Sequence, residues 1–137
     1  MAENMVKVLV LKKRKDFIRA AKGLKMVSSS LIVQAAHSLS SAYRTADNDC
    51  CFVGYTVTKK IGKAHLRNRV KRRLRAAVRA IMPKTAKGQT DYVLIGRYNT
   101  ADTDFTKLKE ELKTAVSRLN KMLKKESAHE KAADLAD

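Results

Sequence analysis

The sequence predicts an α+β domain, one small sheet with helices packed on it, and three observations carry the prediction. Apolar residues recur at three- and four-residue steps in three stretches. Shorter runs rich in β-branched and aromatic residues lie between them. The order of these segments is helix, strands, helix, strand, helix, a chain that must bury the faces of its helices against a single sheet. With 137 residues there is room for one core. A hydrophobic content of 45% separates the chain from disordered basic tails. No internal repeat is found, so the expectation is one domain over residues 1–124 followed by a disordered acidic tail over 125–137.

Each element follows from its own pattern. Met1 to Leu11 alternates Val and Leu with charge, and has neither the apolar run nor the small-residue cleavage site of a signal peptide. Lys13 to Lys22 places Phe17, Ile18 and Ala21 at helical spacing, and Gly23 stands where that helix ends. Leu31 to Ala36 is too short for a helix and reads as a strand; Ser38 to Asp49 reads as a loop, and Cys51 to Thr58 alternates as a second strand, with Gly62 breaking the chain after it. From Ala64 to Met82, Leu66, Val70, Leu74, Ala77, Val78 and Ile81 form one stripe that Pro83 stops. After the turn Lys87-Gly88-Gln89, Asp91 to Tyr98 reads as a buried strand. Asp104 caps a closing helix whose stripe, Phe105 to Leu123, runs out near Lys124; Glu126 to Asp137 has no strong stripe.

Thirty Lys and Arg against thirteen Asp and Glu give a net charge of +17, with a pI near 10.2. A polyanion is the natural partner of such a surface. A membrane-spanning helix is excluded, since no stretch approaches the roughly 18 to 20 apolar residues it needs. Cys50 and Cys51 are the only cysteines, and being adjacent they fit neither a disulfide framework nor metal-binding CxxC spacing. They read as small residues opening a strand, with the cytoplasm as the compartment.

The charge is concentrated. Between Thr58 and Ala80 lie ten Lys or Arg and no acid: Lys59, Lys60, Lys63, Arg67, Arg69, Lys71, Arg72, Arg73, Arg75 and Arg79. Like charges such as Arg67, Lys71 and Arg75 destabilise an isolated helix by roughly 0.2 to 0.5 kcal/mol per pair. A phosphate backbone relieves that repulsion, because neutralised phosphates release counterions and Arg grips a phosphate with two parallel bonds. On a helical wheel the apolar arc centres near Ala77 and Ile81, and Asn68, Lys71, Arg72, Arg75 and Arg79 lie opposite, with Arg67 and Arg73 at the borders. Asn68 adds a donor and an acceptor amid positive charge, suited to a phosphate, a ribose or a hydrated metal ion.

The string Val57-Thr58-Lys59-Lys60-Ile61-Gly62-Lys63-Ala64, followed by Arg67-Asn68-Arg69-Val70-Lys71-Arg72-Arg73-Leu74-Arg75, resembles the signature of the bacterial ribonuclease P protein subunit, a family known for its Arg-Asn-Arg motif. The similarity extends to Asp16-Phe17, to the strand Tyr92 to Arg97 and to the closing helix, about Leu9 to Leu123 in all. It implies a ribosomal-protein-like sandwich with a small mixed sheet and a left-handed crossover. It further implies that a catalytic RNA and Mg²⁺, bound mainly by that RNA, perform the phosphodiester hydrolysis, with no catalytic or metal-ligating residue from the protein. The partners implied are the ribonuclease P RNA and precursor tRNA, whose single-stranded 5′ leader lies in a cleft between the sheet and the first helix. Arg67, Asn68, Arg69, Lys71, Arg72 and Arg73 then become RNA contacts, with Lys59, Lys60, Lys63 and Arg75 in the same basic stretch. Phe17 matches the first-helix aromatic of the cleft, where stacking contributes roughly 1 to 3 kcal/mol per base; plain core packing is its other reading. Tyr55 is a further candidate for the cleft, or else a core residue. The chain departs from many members at Ala21, near where they carry a second aromatic.

Other functions fare worse on these residues. An independent ribonuclease needs a convergent acid and base, and His37, His65 and His129 fall at a strand end, a helix start and the tail. Asp47 and Asp49 share a loop, while Asp102 and Asp104 read as turn and cap residues, so no two-metal carboxylate cluster emerges. A general or ribosomal RNA-binding protein remains the alternative, separated only by the extended motif around Arg67-Asn68-Arg69. DNA binding is disfavoured because the helix's apolar stripe belongs to a core and no helix-turn-helix partner precedes it.

Overall fold

The computed structural model describes residues 6–38 and 50–136, with side chains described as far as residue 125. The loop expected up to Asp49 therefore lies, beyond Ser38, outside the described residues. Five strands form one mixed sheet: β1 (Lys7–Val10), β2 (Leu24–Val27), β3 (Leu31–His37), β4 (Cys50–Thr56) and β5 (Thr90–Gly96), in the spatial order β1-β4-β5-β3-β2. β1, β4 and β5 run parallel, whereas β3 and β2 are antiparallel to their neighbours. Three helices complete the fold: α1 (Arg14–Ala21), α2 (Ala64–Thr85), which joins the parallel neighbours β4 and β5, and α3 (Phe105–Ala136).

The period-two alternation of the strands divides the core between the two faces of the sheet. One face sends Val33, Cys51, Val53, Tyr92 and Leu94 toward α2 and α3, which meet them with Val70, Leu74, Met82, Leu108, Leu112 and Leu119. The opposite face carries Phe52 and Val93, which pack with Leu11 and with Ala20 of α1, Phe17 and Ile95 being half-buried beside them. Helix α1 is so short that its seat depends on side-chain bonds. Arg19 donates to Asp16 at 2.8 Å and to the buried Asp91 on β5, while the Ser38 hydroxyl donates to Asp91 at 2.6 Å. On the other face, the Tyr92 hydroxyl accepts from the Lys87 amide at 2.9 Å and donates to Asn120, whose amide donates to Thr85 O at 2.8 Å. This chain of bonds locks the end of α2 to β5 and α3.

The structure departs from expectation at four places. β1 and β2 are additional edge strands, each of four residues, too short to leave a clear signal in the sequence. Helix α2 does not stop at Pro83 but runs to Thr85, closing its last turn by the Ala86 amide on Met82 O at 2.8 Å. The freed proline carbonyl is used as well, accepting from the Val6 amide at 2.7 Å and so fastening the start of β1. Helix α3 continues to Ala136, through the stretch expected to be a disordered tail. Residues 126–136 are rich in Ala and hold neither Gly nor Pro, so a helix already nucleated on the core propagates through them. Asp104 caps α3 as expected, accepting from the Lys107 amide at 3.4 Å. Among the described residues no helix is long and apolar enough to cross a membrane.

Candidate nucleic-acid interface

Helix α2 is amphipathic in the strict sense that its two faces have different owners. Val70, Leu74, Ala77, Val78 and Met82 are buried against the sheet and α3, while Asn68, Arg69, Arg72, Arg75 and Arg79 are exposed. The entry to the helix is built by Gly62. Its φ of +145° lies where L side chains are strained, and a Cβ there would meet Leu66 Cδ2 at 2.8 Å. That turn closes a 3-10 segment at Lys59–Ile61, so that the exposed Lys59, Lys60 and Lys63 continue the basic face beyond the helix start. His65, Asn68, Lys71, Arg72 and Arg75 border a shallow polar depression of about 490 Å³. With the helix N-terminus at one end and no acid among its lining residues, it suits a phosphate and repels a free cation.

Two arginines of the motif are committed in part to the protein itself. Arg67 is half-buried and donates from Nε to Gly62 O at 3.2 Å, bracing the turn that starts the helix. Arg73 donates from Nε to Thr100 O at 3.1 Å and also to Thr103 O, and its guanidinium lies 5.8 Å from the Phe105 ring centre. It ties the loop after β5 to α2, so of the predicted contacts it is the one most occupied by structure. Arg69 and Arg72, with Asn68, are exposed.

On the opposite face of the sheet Phe17 reaches from α1 over Gly54 of β4. A Cβ on Gly54 would stand 2.4 Å from Cζ and 2.5 Å from Cε1 of Phe17, so the ring rests directly on the strand backbone. Leu11, Phe52 and Val93 surround it, and the exposed run Lys12, Lys13, Arg14 and Lys15 lies at the start of α1. Phe17 therefore packs on the sheet, as its core reading has it, while its side chain stays partly exposed. Tyr55 is not in that cleft. Alternation along β4 turns it to the α2 side with Cys51 and Val53, and Arg75 lies over it at 5.7 Å from the ring centre. Burial pushes its phenol above the ordinary value, with the charges of Arg75 and Arg79 pulling the other way.

Among the described residues the structure brings together neither a nuclease pair nor a metal cluster. His37 ends β3 opposite the first residue of β5, His65 opens α2 at the other end of the sheet, and the His129 side chain lies outside the described residues, as do Asp47 and Asp49. Among the described residues no group of three or more His, Cys, Asp or Glu is placed to hold a metal ion, so the described side chains offer no clustered seat for Mg²⁺. Cys50 and Cys51 are buried and not joined in a disulfide, and burial pushes the Cys51 thiol up to about 12. Sequence reasoning missed the roles of Gly54 and of the Arg19–Asp91 pair. The charge run Lys12 to Lys15 was visible in the sequence, but only the fold sets it beside Phe17.

A mixed-sheet α+β domain that presents an acid-free Arg/Lys helix, with Asn68 near its N-terminus, defines a protein of the RNA-binding class. The chain belongs to the ribonuclease P protein family, described as Ribonuclease P, whose sequence profile matches residues 5–120. It is 39% identical over 118 residues to the Ribonuclease P protein component of Caulobacter vibrioides, a match covering 86% of this chain and 75% of that one. To the component of Paramagnetospirillum magneticum it is 40% identical over 119 residues, covering 86% of this chain and 87% of the relative. Solved structures agree. The RNase P protein from Thermotoga maritima superimposes with a TM-score of 0.65 at 25% identity, covering 80% of this chain and 96% of that one. That of Staphylococcus aureus gives 0.62 at 25% identity, covering 84% and 97%.

Proposed function

We propose that this chain is the protein component of a cytoplasmic ribonuclease P, working on precursor tRNA with a catalytic RNA that holds the Mg²⁺ and performs the hydrolysis. The observation that carries the reading is the exposed Asn68-Arg69 and Arg72 face on a helix whose other side is locked in the core. A rigid cationic face binds the RNA without an ordering cost, and the single-stranded 5′ leader lies along the opposite side of the sheet against Phe17. Binding the leader favours precursor over mature tRNA, because only the precursor has one. The protein acts by positioning and electrostatics and supplies no acid, base or metal ligand. A general RNA-binding role leaves the family match over residues 5–120 without an account.

The test is cleavage of a precursor tRNA by the cognate ribonuclease P RNA at low Mg²⁺, with and without the protein, beside the protein alone. Release of an intact 5′ leader only when both are present supports the reading. Cleavage by protein alone assigns the chemistry to the chain and overturns it. RNA binding without stimulation returns the general RNA-binding alternative. In the same system Arg69→Ala should reduce the slope of log affinity against log salt by about one.

A further inference from the structure

On the α2 side of the sheet, away from Phe17, edge strand β1 and helix α2 flank a groove of about 570 Å³. Val8, Val53 and Tyr55 supply its floor, and Lys7, Arg75 and Arg79 are its charged residues. One end is fastened by the Val6 amide on Pro83 O at 2.7 Å, and at the other Val10 is 60% exposed. The volume falls within the roughly 300 to 1,000 Å³ of ordinary ligand sites, which are apolar with a few placed polar groups. Here the polar groups are all cationic or phenolic. Apolar walls are a poor seat for a bare phosphate, and the three cations reject an apolar peptide or a metal ion. An apolar planar body with an anionic end satisfies both. Arg75 already lies over one side of Tyr55, an arrangement that RNA-binding surfaces use to stack unpaired bases. The groove also lies beside the RNA face. Arg72, Arg75 and Arg79 follow one stripe of α2, and the first and last are about 10 Å apart along the axis.

We propose that this groove is a subsite for one unpaired nucleotide of the ribonuclease P RNA, its base against Tyr55, Val8 and Val53 and its phosphate between Arg75 and Arg79. The inference rests on the RNA-partner reading above. It assigns Tyr55 to the catalytic RNA rather than to the leader, because the groove and the Phe17 cleft lie on opposite faces of the sheet.

The experiment uses the full chain with its cognate ribonuclease P RNA and precursor tRNA, and places a benzophenone amino acid at Val10. The expected result is a crosslink to an unpaired nucleotide of the ribonuclease P RNA. That base is protected from chemical modification in the wild-type complex and reactive in complexes made with Val10→Trp, which blocks the mouth, or Tyr55→Leu. Both variants bind the RNA about tenfold more weakly, the scale of one lost stacked base. The crosslink does not depend on how either variant folds. A crosslink to precursor tRNA or to protein, or none, overturns the proposal. Unchanged affinity and reactivity with both variants also overturn it, provided Arg72→Ala weakens binding; the RNA-face reading then stands without the groove. If Arg72→Ala too leaves affinity and salt dependence unchanged, both readings fall.

Discussion

Gly54→Ala adds one methyl group at the point where Phe17 meets the sheet, and its consequences follow from the geometry there. The new Cβ would lie 2.4 Å from Phe17 Cζ, against 3.4 Å for the start of ordinary contact, so the ring tip must withdraw by about 1 Å. Gly54 has no positive φ, so the effect of Ala is steric rather than conformational. Phe17 cannot retreat freely, because Arg19, one half-turn further along α1, is bonded to Asp16 and to Asp91 on β5. Overpacking of this kind costs about 1 to 3 kcal/mol, a fall in Tm of several degrees at about 4 °C per kcal/mol. The assay is urea unfolding of four chains: wild type, Gly54→Ala, Phe17→Ala and the double variant. With the ring gone the added methyl has space, so the double variant should be more stable than the two single losses predict by about 1 kcal/mol or more. Gly54→Ala should also weaken the preference for precursors that carry a leader while leaving affinity for the ribonuclease P RNA unchanged. Single losses that add to within about 0.5 kcal/mol would refute the seating of Phe17 on Gly54.

Two other perturbations separate structural from RNA-binding roles. Arg73→Ala should lower the unfolding free energy of the free protein by about 1 to 3 kcal/mol, since it removes charge-assisted bonds to Thr100 O and Thr103 O. Arg73→Lys keeps the charge but not the fork, so it should recover little, and a wild-type urea midpoint for either variant would contradict the brace. Asp91→Asn tests the anchor of α1 through pH. Burial holds the Asp91 carboxyl above its ordinary value despite the Ser38 hydrogen bond and the Arg19 charge. Between the unfolded value of about 3.9 and the raised folded value the native state binds more protons, so this group's contribution is lost as pH rises through that window. The unfolding free energy of wild type minus that of Asp91→Asn should therefore increase on acidification across it. A difference that shrinks instead would mean that the Arg19 pairing outweighs desolvation.

The parts of the fold that were legible in the sequence are those whose stripes are long. The twelve residues from Val70 to Ile81 repeat their apolar positions through three turns, and β3, β4 and β5, at seven residues each, carry continuous apolar or alternating runs. β1 and β2 were not, because a four-residue edge strand offers two inward side chains, too few to define a period. The same reasoning applies to the site. The Arg-Asn-Arg face is local in sequence and could be drawn on a wheel, whereas the Phe17–Gly54 contact joins positions whose neighbours say nothing of each other. Tyr55 shows the limit most plainly: its presence on β4 was legible, but which face it takes depends on the register of β4 against β5, a tertiary fact. Arg73 could be recognised as a border residue, but its carbonyl partners belong to a loop 27 and 30 positions away.

The unpaired charge on α2 also has a different explanation in the fold than it has in the isolated sequence. Repulsion among its cations amounts to roughly 0.2 to 0.5 kcal/mol for each close pair. Against this, Val70, Leu74, Val78 and Met82 are fully or almost fully buried, each contributing roughly 1.5 to 3 kcal/mol. Packing outweighs the repulsion without help from RNA, so the helix is formed before any partner arrives. Its charge is then available for binding rather than folding. Arg67 at Gly62 and Arg73 at the 97–104 loop hold the two ends of the face in place, while Asn68, Arg69 and Arg72 are left exposed. A face fixed in this way can recognise the shape of a folded RNA, because its cations cannot rearrange to follow just any polyanion.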